Sequence, residues 1–346
     1  MRRIIPTLLL MLVAGANIRA DEILVTSDMH HLRDHGPREW DEFPRQATLT
    51  RLVKTFVAQA NDQAATLLWR QQDVKQTWRV ILNGKRLADL AQDENDMIVA
   101  VDVPPGSLQD GDNELVIEQI GQRKEVDDIR IGEIRLDSRR RPEVLSAAKL
   151  VVSVRDAQTG AALPARLTIV DERGSLVSTS AVSHRTLAVR PGILYTANGR
   201  AEFGVPAGRY RLYAGRGFEY SLAQAEIELL PGQTRTIDMT IKREVPTPGW
   251  IACDTHIHTR THSGHGDATV EERMITLAAE GIELPIATDH NVQIDHAPYA
   301  KELGMTEYFT PVIGNEVTTK IGHFNIFPVQ PGARTPPHDQ QDWEAI

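Results

Sequence analysis

Apolar and polar positions alternate with a period of two over most of the first two-thirds of the chain, in short runs separated by turn residues. That is the pattern of strands with one buried face. Within the first such stretch the predicted strands are 52–57, 66–69, 77–82, 97–103, 114–118 and 128–136. Asn83-Gly84 is a two-residue hairpin signal between the third of these strands, Trp78-Arg79-Val80-Ile81-Leu82, and Lys85-Arg86-Leu87. A second stretch predicts strands at 150–154, 165–170, 201–205, 210–214, 225–229 and 234–241. The alternation is clearest at Ile237, Met239 and Ile241 against Asp238, Thr240 and Lys242.

After Pro246 and Pro248 the pattern changes. Ile251 and Cys253 open a short apolar strand, and 282–288 and 309–316 are further apolar runs, with 324–327 after them. Between the first two, Thr269-Val270-Glu271-Glu272 is a capping box, which starts a helix at Val270. Met274, Leu277 and Ala278 give that helix an apolar face, and Gly281 ends it. A polar helix is expected over 297–303, and another starting near Asp342. Strands alternating with helices predict a parallel sheet in this segment.

Length adds a domain count: 346 residues suffice for two or three domains. The expected units are a signal peptide at 1–20, one all-β sandwich at 47–136, a second at 147–243, and an α/β segment at 249–346. The signal peptide is read from basic Met1-Arg2-Arg3, the apolar run from Ile4 to Ala14 and small residues around Ala16 and Ala20, after either of which cleavage fits. The protein is therefore expected to be periplasmic or secreted, with no membrane span after cleavage. A lone cysteine, Cys253, rules out an internal disulfide. The excess of 47 acidic over 38 basic residues argues against nucleic acid as a partner. Asp137 to Pro142, with three consecutive arginines, is expected to be a solvated linker, and the polar stretch from Glu22 to Gln46, with His30, His31 and His35, a solvated loop.

Chemistry concentrates at the end of the chain. Eight of the twelve histidines lie in the last 98 residues. Asp254-Thr255-His256-Ile257-His258 closes one predicted strand, Ala287-Thr288-Asp289-His290-Asn291 the next, and Gly314-Asn315-Glu316 a third, with His323 following. Two imidazoles two residues apart at a strand end can grip one cation, with Asp254 placed to orient them. Asp289 is expected to anchor a neighbouring imidazole. His262 (a turn), His296 (a helix start) and His338 (a tail) are expected not to be ligands, and Cys253 is expected to be buried and inert.

Three resemblances follow from these motifs. The first β unit, with Asp127-Asp128-Ile129-Arg130-Ile131-Gly132 near its end, resembles a galactose-binding jelly roll, in which Trp69 and Trp78 are expected to be core residues rather than a sugar platform. The second, with Phe203-Gly204-Val205-Pro206-Ala207-Gly208-Arg209-Tyr210, resembles a transthyretin-like or carboxypeptidase-regulatory sandwich. From Gly249 to about residue 330 the motif series resembles the PHP (polymerase and histidinol phosphatase) superfamily, and Ala279-Glu280-Gly281-Ile282-Glu283-Leu284 its carbaryl-hydrolase-like CehA/McbA branch. That last resemblance implies a distorted (β/α)7 barrel binding two or three divalent ions (Zn, Mn or Fe), with metal ligands His256, His258, His265, His290, Glu316 and His323. It places His265 in the ligand slot by counting back from Glu271, with Asp267 as the runner-up. Asp289 and His323 take the catalytic roles. The chain then looks C-terminally truncated, because only the first part of such a barrel fits before Ile346.

Two functions are in contention. One is an exported metal-dependent hydrolase cleaving an ester, carbamate, amide or phosphoester bond in a small-molecule or carbohydrate-linked substrate. The alternative is a carbohydrate- or surface-binding scaffold with an inactive barrel. A serine hydrolase ranks a poor third, because there is no Gly-x-Ser-x-Gly elbow.

Overall fold

A computed structural model describes residues 22–121, 125–339 and 342. The signal-peptide expectation and most of the helix expected from Asp342 lie outside the described residues. Strands dominate them, and the α-helices are four short ones: Arg141–Leu145, Arg260–Ser263, Val270–Ala279 and Ala297–Glu302.

In the first unit two four-stranded antiparallel layers face each other. One runs Glu22–Leu32, Ile129–Asp137, Ala65–Gln72, Met97–Val103, and the other Arg51–Ala58, Gly111–Gln119, Trp78–Leu82, Lys85–Asp89. Alternation explains the core between them: Leu67 and Trp69 from one layer meet Leu52, Phe56, Val80, Leu115 and Ile117 from the other. Trp69 and Trp78 are both buried here. The Trp78 indole N–H donates to Asp127 Oδ2 at 2.7 Å, so its polar end is satisfied inside the core. Leu68 and Ala100, on the opposite face of their layer, are covered by Val144 and Leu145 of the short helix.

Two polar expectations need correction here. Residues Glu22–Leu32 form an eleven-residue strand, not a solvated loop. The alternation there is masked by two register shifts, at Leu24/Thr26 and Thr26/Met29, and by burial through pairing: His31, and Arg33 just beyond the strand, both contact Asp128. The arginine run is mostly exposed, as a solvated linker should be, but it is ion-paired and leads straight into a helix instead of forming a free linker. Arg139 pairs with Asp137, Arg140 with Glu143, and Arg141 with Asp102 at 3.0 Å, with Pro142 in the first turn of the helix.

The second unit packs a three-stranded sheet (Arg200–Val205, Ala148–Asp156, Thr234–Ile241) on a larger one containing Ala165–Asp171, Leu187–Arg190, Ile193–Thr196, Gly208–Gly215 and Ala223–Leu229. Its core, around Leu150, Val152, Leu167, Ile169, Phe203 and Leu212, is distinct from the first. One sheet nevertheless runs through both units, where two separate sandwiches were expected. Leu176–Val177 pairs in parallel with Met97 and Ile98, and Leu176 also pairs with Val170, giving one ten-stranded sheet. The outer strand of the first unit would otherwise present free N–H and C=O groups, and this two-residue segment takes part of them up. Met97, Val170 and Leu176 pack beneath the junction.

The last segment departs furthest from expectation. Three short strands run parallel in the order Cys253–Ile257, Leu284–Ala287, Val312–Ile313. Asn315–Thr319 and Gly322–Ile326 then pair as an antiparallel hairpin. The expected 309–316 strand is broken at Gly314, where an added Cβ would lie 2.8 Å from Ala287 O. No (β/α)7 barrel exists among the described residues, so the distorted-barrel expectation is corrected to a small open sheet. Its covering helix, Val270–Ala279, does carry the capping box, with Thr269 and Glu272 bonding reciprocally. Met274, Ile275 and Leu277 pack with Ala188 and Ala197 of the second unit, so the neighbouring sandwich supplies the helix's outer cover.

Candidate metal centre

Each donor is placed by a backbone device the sequence encodes. His256 and His258 lie on and just beyond the edge strand Cys253–Ile257, whose pairing with its neighbour is irregular between Asp254 and Ile257. Thr288 locks that irregularity: its Oγ1 accepts from Ile257 N at 2.8 Å and donates to Ile257 O at 3.1 Å. His290 is held opposite Glu316 by a parallel bridge. The next residue, Asn291, takes the left-handed conformation at φ 57°. It donates from N to Glu316 O at 3.0 Å and accepts from Thr318 N at Oδ1 at 2.9 Å. Glu316 and His323 lie diagonally across the terminal hairpin, in which Glu316 pairs with Asn325 and Thr318 with His323.

Glu316 is the hub. Its Oε2 lies 3.0 Å from His256 Nε2, 2.9 Å from His258 Nε2 and 3.4 Å from His290 Nδ1, while Oε1 lies 2.6 Å from His323 Nδ1. His265 joins through its ring, 5.1 Å from that of His258 and 5.2 Å from that of His290 between centroids. The donor atoms fall into three overlapping trios: His256, His258 and Glu316; His290, Glu316 and His323; His258, His265 and His290. Within each, all atoms lie within 4.8 Å of one another. The structure thus brings together all six residues singled out from the sequence as metal ligands.

The donor set fits a cation. His256 Nε2 and His258 Nε2 are 2.9 Å apart, and one carboxylate oxygen faces three imidazole nitrogens. Burial draws His258 below its ordinary pKa, Glu316 opposes this, and the neighbouring imidazoles reinforce it, which favours a neutral ring with a free lone pair. Its buried Nδ1 has no hydrogen-bond partner. Burial raises the pKa of Glu316, but hydrogen bonds from His256 and His323 outweigh it and hold the group ionised. Imidazoles around a carboxylate suit Zn, Mn or Fe ions.

Other expected roles fall differently. Asp267 does not reach the cluster and pairs with Arg190 at 2.6 Å. Asp289 does not touch the His290 ring: it accepts from Thr259 N at 2.6 Å and from Ser263 Oγ at 2.9 Å, fixing the loop after His258. Asp254 accepts from His256 N at 3.1 Å rather than orienting a ring. The imidazole partner that does appear is Thr318, whose Oγ1 lies 2.7 Å from His290 Nδ1, a residue unmarked in the sequence because Thr-Thr in a strand has an ordinary β reading. His262 is half-buried against Tyr299, not solvent-facing. His296 precedes its helix as expected but is fully buried, 3.9 Å from Asp289. His338 is exposed. Cys253 is exposed rather than buried, because its strand is the sheet edge, and it belongs to none of the three trios.

No family model matches the chain, and no curated protein does either. Among solved structures it is similar to a minor pilin of Streptococcus agalactiae, with 13% identity over 64% of this chain and 98% of that one, at a TM-score of 0.26. It is similar to the major pilin subunit of Bacillus cereus, with 9% identity over 63% and 70%, at 0.22. A β-glucuronidase of Faecalibacterium prausnitzii matches with 11% identity over 86% and 60%, at 0.24.

These findings correct the identification as a PHP superfamily protein of the CehA/McbA branch. No such family matches, the fold is predominantly β, and the sheet carrying the motifs is open. The expectation of a metal-dependent hydrolase is corrected with it. His256 and His323 are each 54% exposed, so the cluster lies on the surface and not in a water-excluding pocket that would hold a reacting bond.

Proposed function

We propose that this chain is an exported β-rich binding scaffold that presents a divalent-metal centre on its last segment. The observation that supports the reading is the convergence of four imidazoles on the one carboxylate of Glu316, which is only 4% exposed. His256, His258 and Glu316 would hold one cation, and His290, Glu316 and His323 a second, with Glu316 shared and His265 completing the set. Bound there, a Zn, Mn or Fe ion supplies a Lewis-acidic point charge that pins three loops to one another. The exposed side of His256 and His323 leaves room for a ligand from outside, such as a surface carboxylate or a carbohydrate hydroxyl.

Scaffold architecture supports the same reading. Both sandwiches are filled by apolar side chains, and no helix among the described residues is long and apolar enough to cross a membrane. Export itself rests on the basic and apolar N-terminal sequence. Metal content after dialysis tests the proposal: the wild-type chain should retain zinc or manganese, and His258→Ala should retain markedly less. Equal retention by both proteins would sink it.

A further inference from the structure

His265 is the most precariously placed of the six donors. It sits between Gly264 and Gly266, which have φ of 64° and 83°, in a turn between two helices. Glycine on both sides leaves this turn more backbone freedom than any other donor has. The other donors lie on or beside paired strands, whereas His265 is exposed and meets the cluster only edge-on to His258 and His290. Something must hold the turn if His265 is to act as a ligand.

That hold comes from outside the segment. Arg190, the last residue of strand Leu187–Arg190 in the second sandwich, reaches across to the turn. Its Nη2 donates to Asp267 O at 2.6 Å and its Nε to Asp267 Oδ2 at 2.6 Å. Its Nη1 donates to Glu272 Oε1 at 3.3 Å, the carboxylate that closes the capping box of Val270–Ala279. The guanidinium is fixed in turn by Nη1 donating to Val189 O at 2.7 Å. A planar fork engaging a main-chain oxygen and two carboxylates is a geometry lysine cannot reproduce. Arg273, the residue after Glu272 in the same helix, donates from Nε to His258 O at 3.3 Å and lies 3.5 Å from Asp267 Oδ1. Both ends of the His258–His265 pair are thus tied to arginines that share Asp267.

We propose that Arg190 is a positioning residue for the metal centre: the second sandwich holds the His265 turn in ligating geometry through the Arg190–Asp267 contact. The inference rests on the metal-centre reading, and it makes the sandwich a working part of that centre. Partners one step removed from a ligand typically alter metal affinity 10–100-fold.

The experiment uses the full chain with Arg190→Ala, Arg190→Lys, His265→Ala and the Arg190→Ala/His265→Ala double variant. Zinc affinity is measured by competition with a chromophoric chelator, and amide hydrogen exchange is followed over residues 263–268 in the metal-free protein. Arg190→Ala is expected to speed exchange in that turn and weaken zinc binding about tenfold. Arg190→Lys should fall between it and wild type. In the His265→Ala background the Arg190→Ala change should cost nothing further, which a merely structural role would not produce. Unchanged exchange and affinity in Arg190→Ala overturns the inference, as does an equal loss with and without His265. If the wild-type chain binds no zinc, the metal-centre reading fails, and the exchange data alone then decide whether Arg190 tethers the turn.

Discussion

His31 Nε2 lies 2.6 Å from Asp128 Oδ1, joining residues 97 positions apart in the innermost layer of the first sandwich. Arg33 Nη1 reaches the same carboxylate at 3.0 Å, and Glu39 N donates to its other oxygen at 2.7 Å. Asp128 has no exposed surface and Arg33 almost none. This single carboxylate therefore fixes the first strand and the loop after it to the strand that begins at Ile129.

Removing the carboxylate should be expensive. Asp128→Ala leaves the Arg33 guanidinium buried without its counter-ion, for which about 3–5 kcal/mol of destabilisation is expected. Urea unfolding of the variant measures this. A loss under 1 kcal/mol would show that the network is not what orders the first strand.

The junction of the two sandwiches should weaken in acid. Burial raises the pKa of Asp96, but hydrogen bonds from Arg70, Ser175 and Gln72 outweigh it and leave the group below its ordinary 3.8. A depressed folded pKa contributes stability above the unfolded value that is lost as pH falls through the folded one. The contribution should therefore be complete above about pH 5 and fade below 3.8. Asp96→Asn should flatten that limb of the pH–stability curve, and an unchanged acid limb would contradict the assignment.

One helix face supplies the apolar part of the last segment's docking. Met274 is fully buried between its own sheet and the second sandwich. Met274→Ala should cost about 2–5 kcal/mol, and Thr269→Ala, which removes the cap, about 1 kcal/mol. Limited proteolysis should show the last segment cut first in the former. Cleavage elsewhere, with this segment intact, would place the weak point in another unit.

What was legible in the sequence divides along physical lines. Strands such as Thr234–Ile241 and the helix starting at Val270 announce themselves through local alternation and capping, and the structure has both. The strand Glu22–Leu32 does not, because register shifts interrupt its alternation and His31 buries through Asp128, a partner invisible from nearby sequence. The short segment Leu176–Val177 is likewise defined by what it pairs with, namely Met97 and Ile98. At the candidate site density and spacing marked the histidine-rich strand ends, and the resemblance supplied the set of six donors. The surrounding fold did not, since motif order says which residues converge but not how many strands enclose them. Arg190 gave no signal, being a lone arginine at the end of a short strand in another unit.

The most direct test of the metal centre is calorimetric titration of zinc into the metal-free chain and into Glu316→Gln, which keeps the shape of the hub and removes its charge. The account predicts saturable binding by the wild type, a gain in thermal midpoint with zinc, and at least a tenfold loss of affinity in the variant. Wild-type and Glu316→Gln titrations that superimpose, or a wild type that takes up no zinc or manganese, would contradict it.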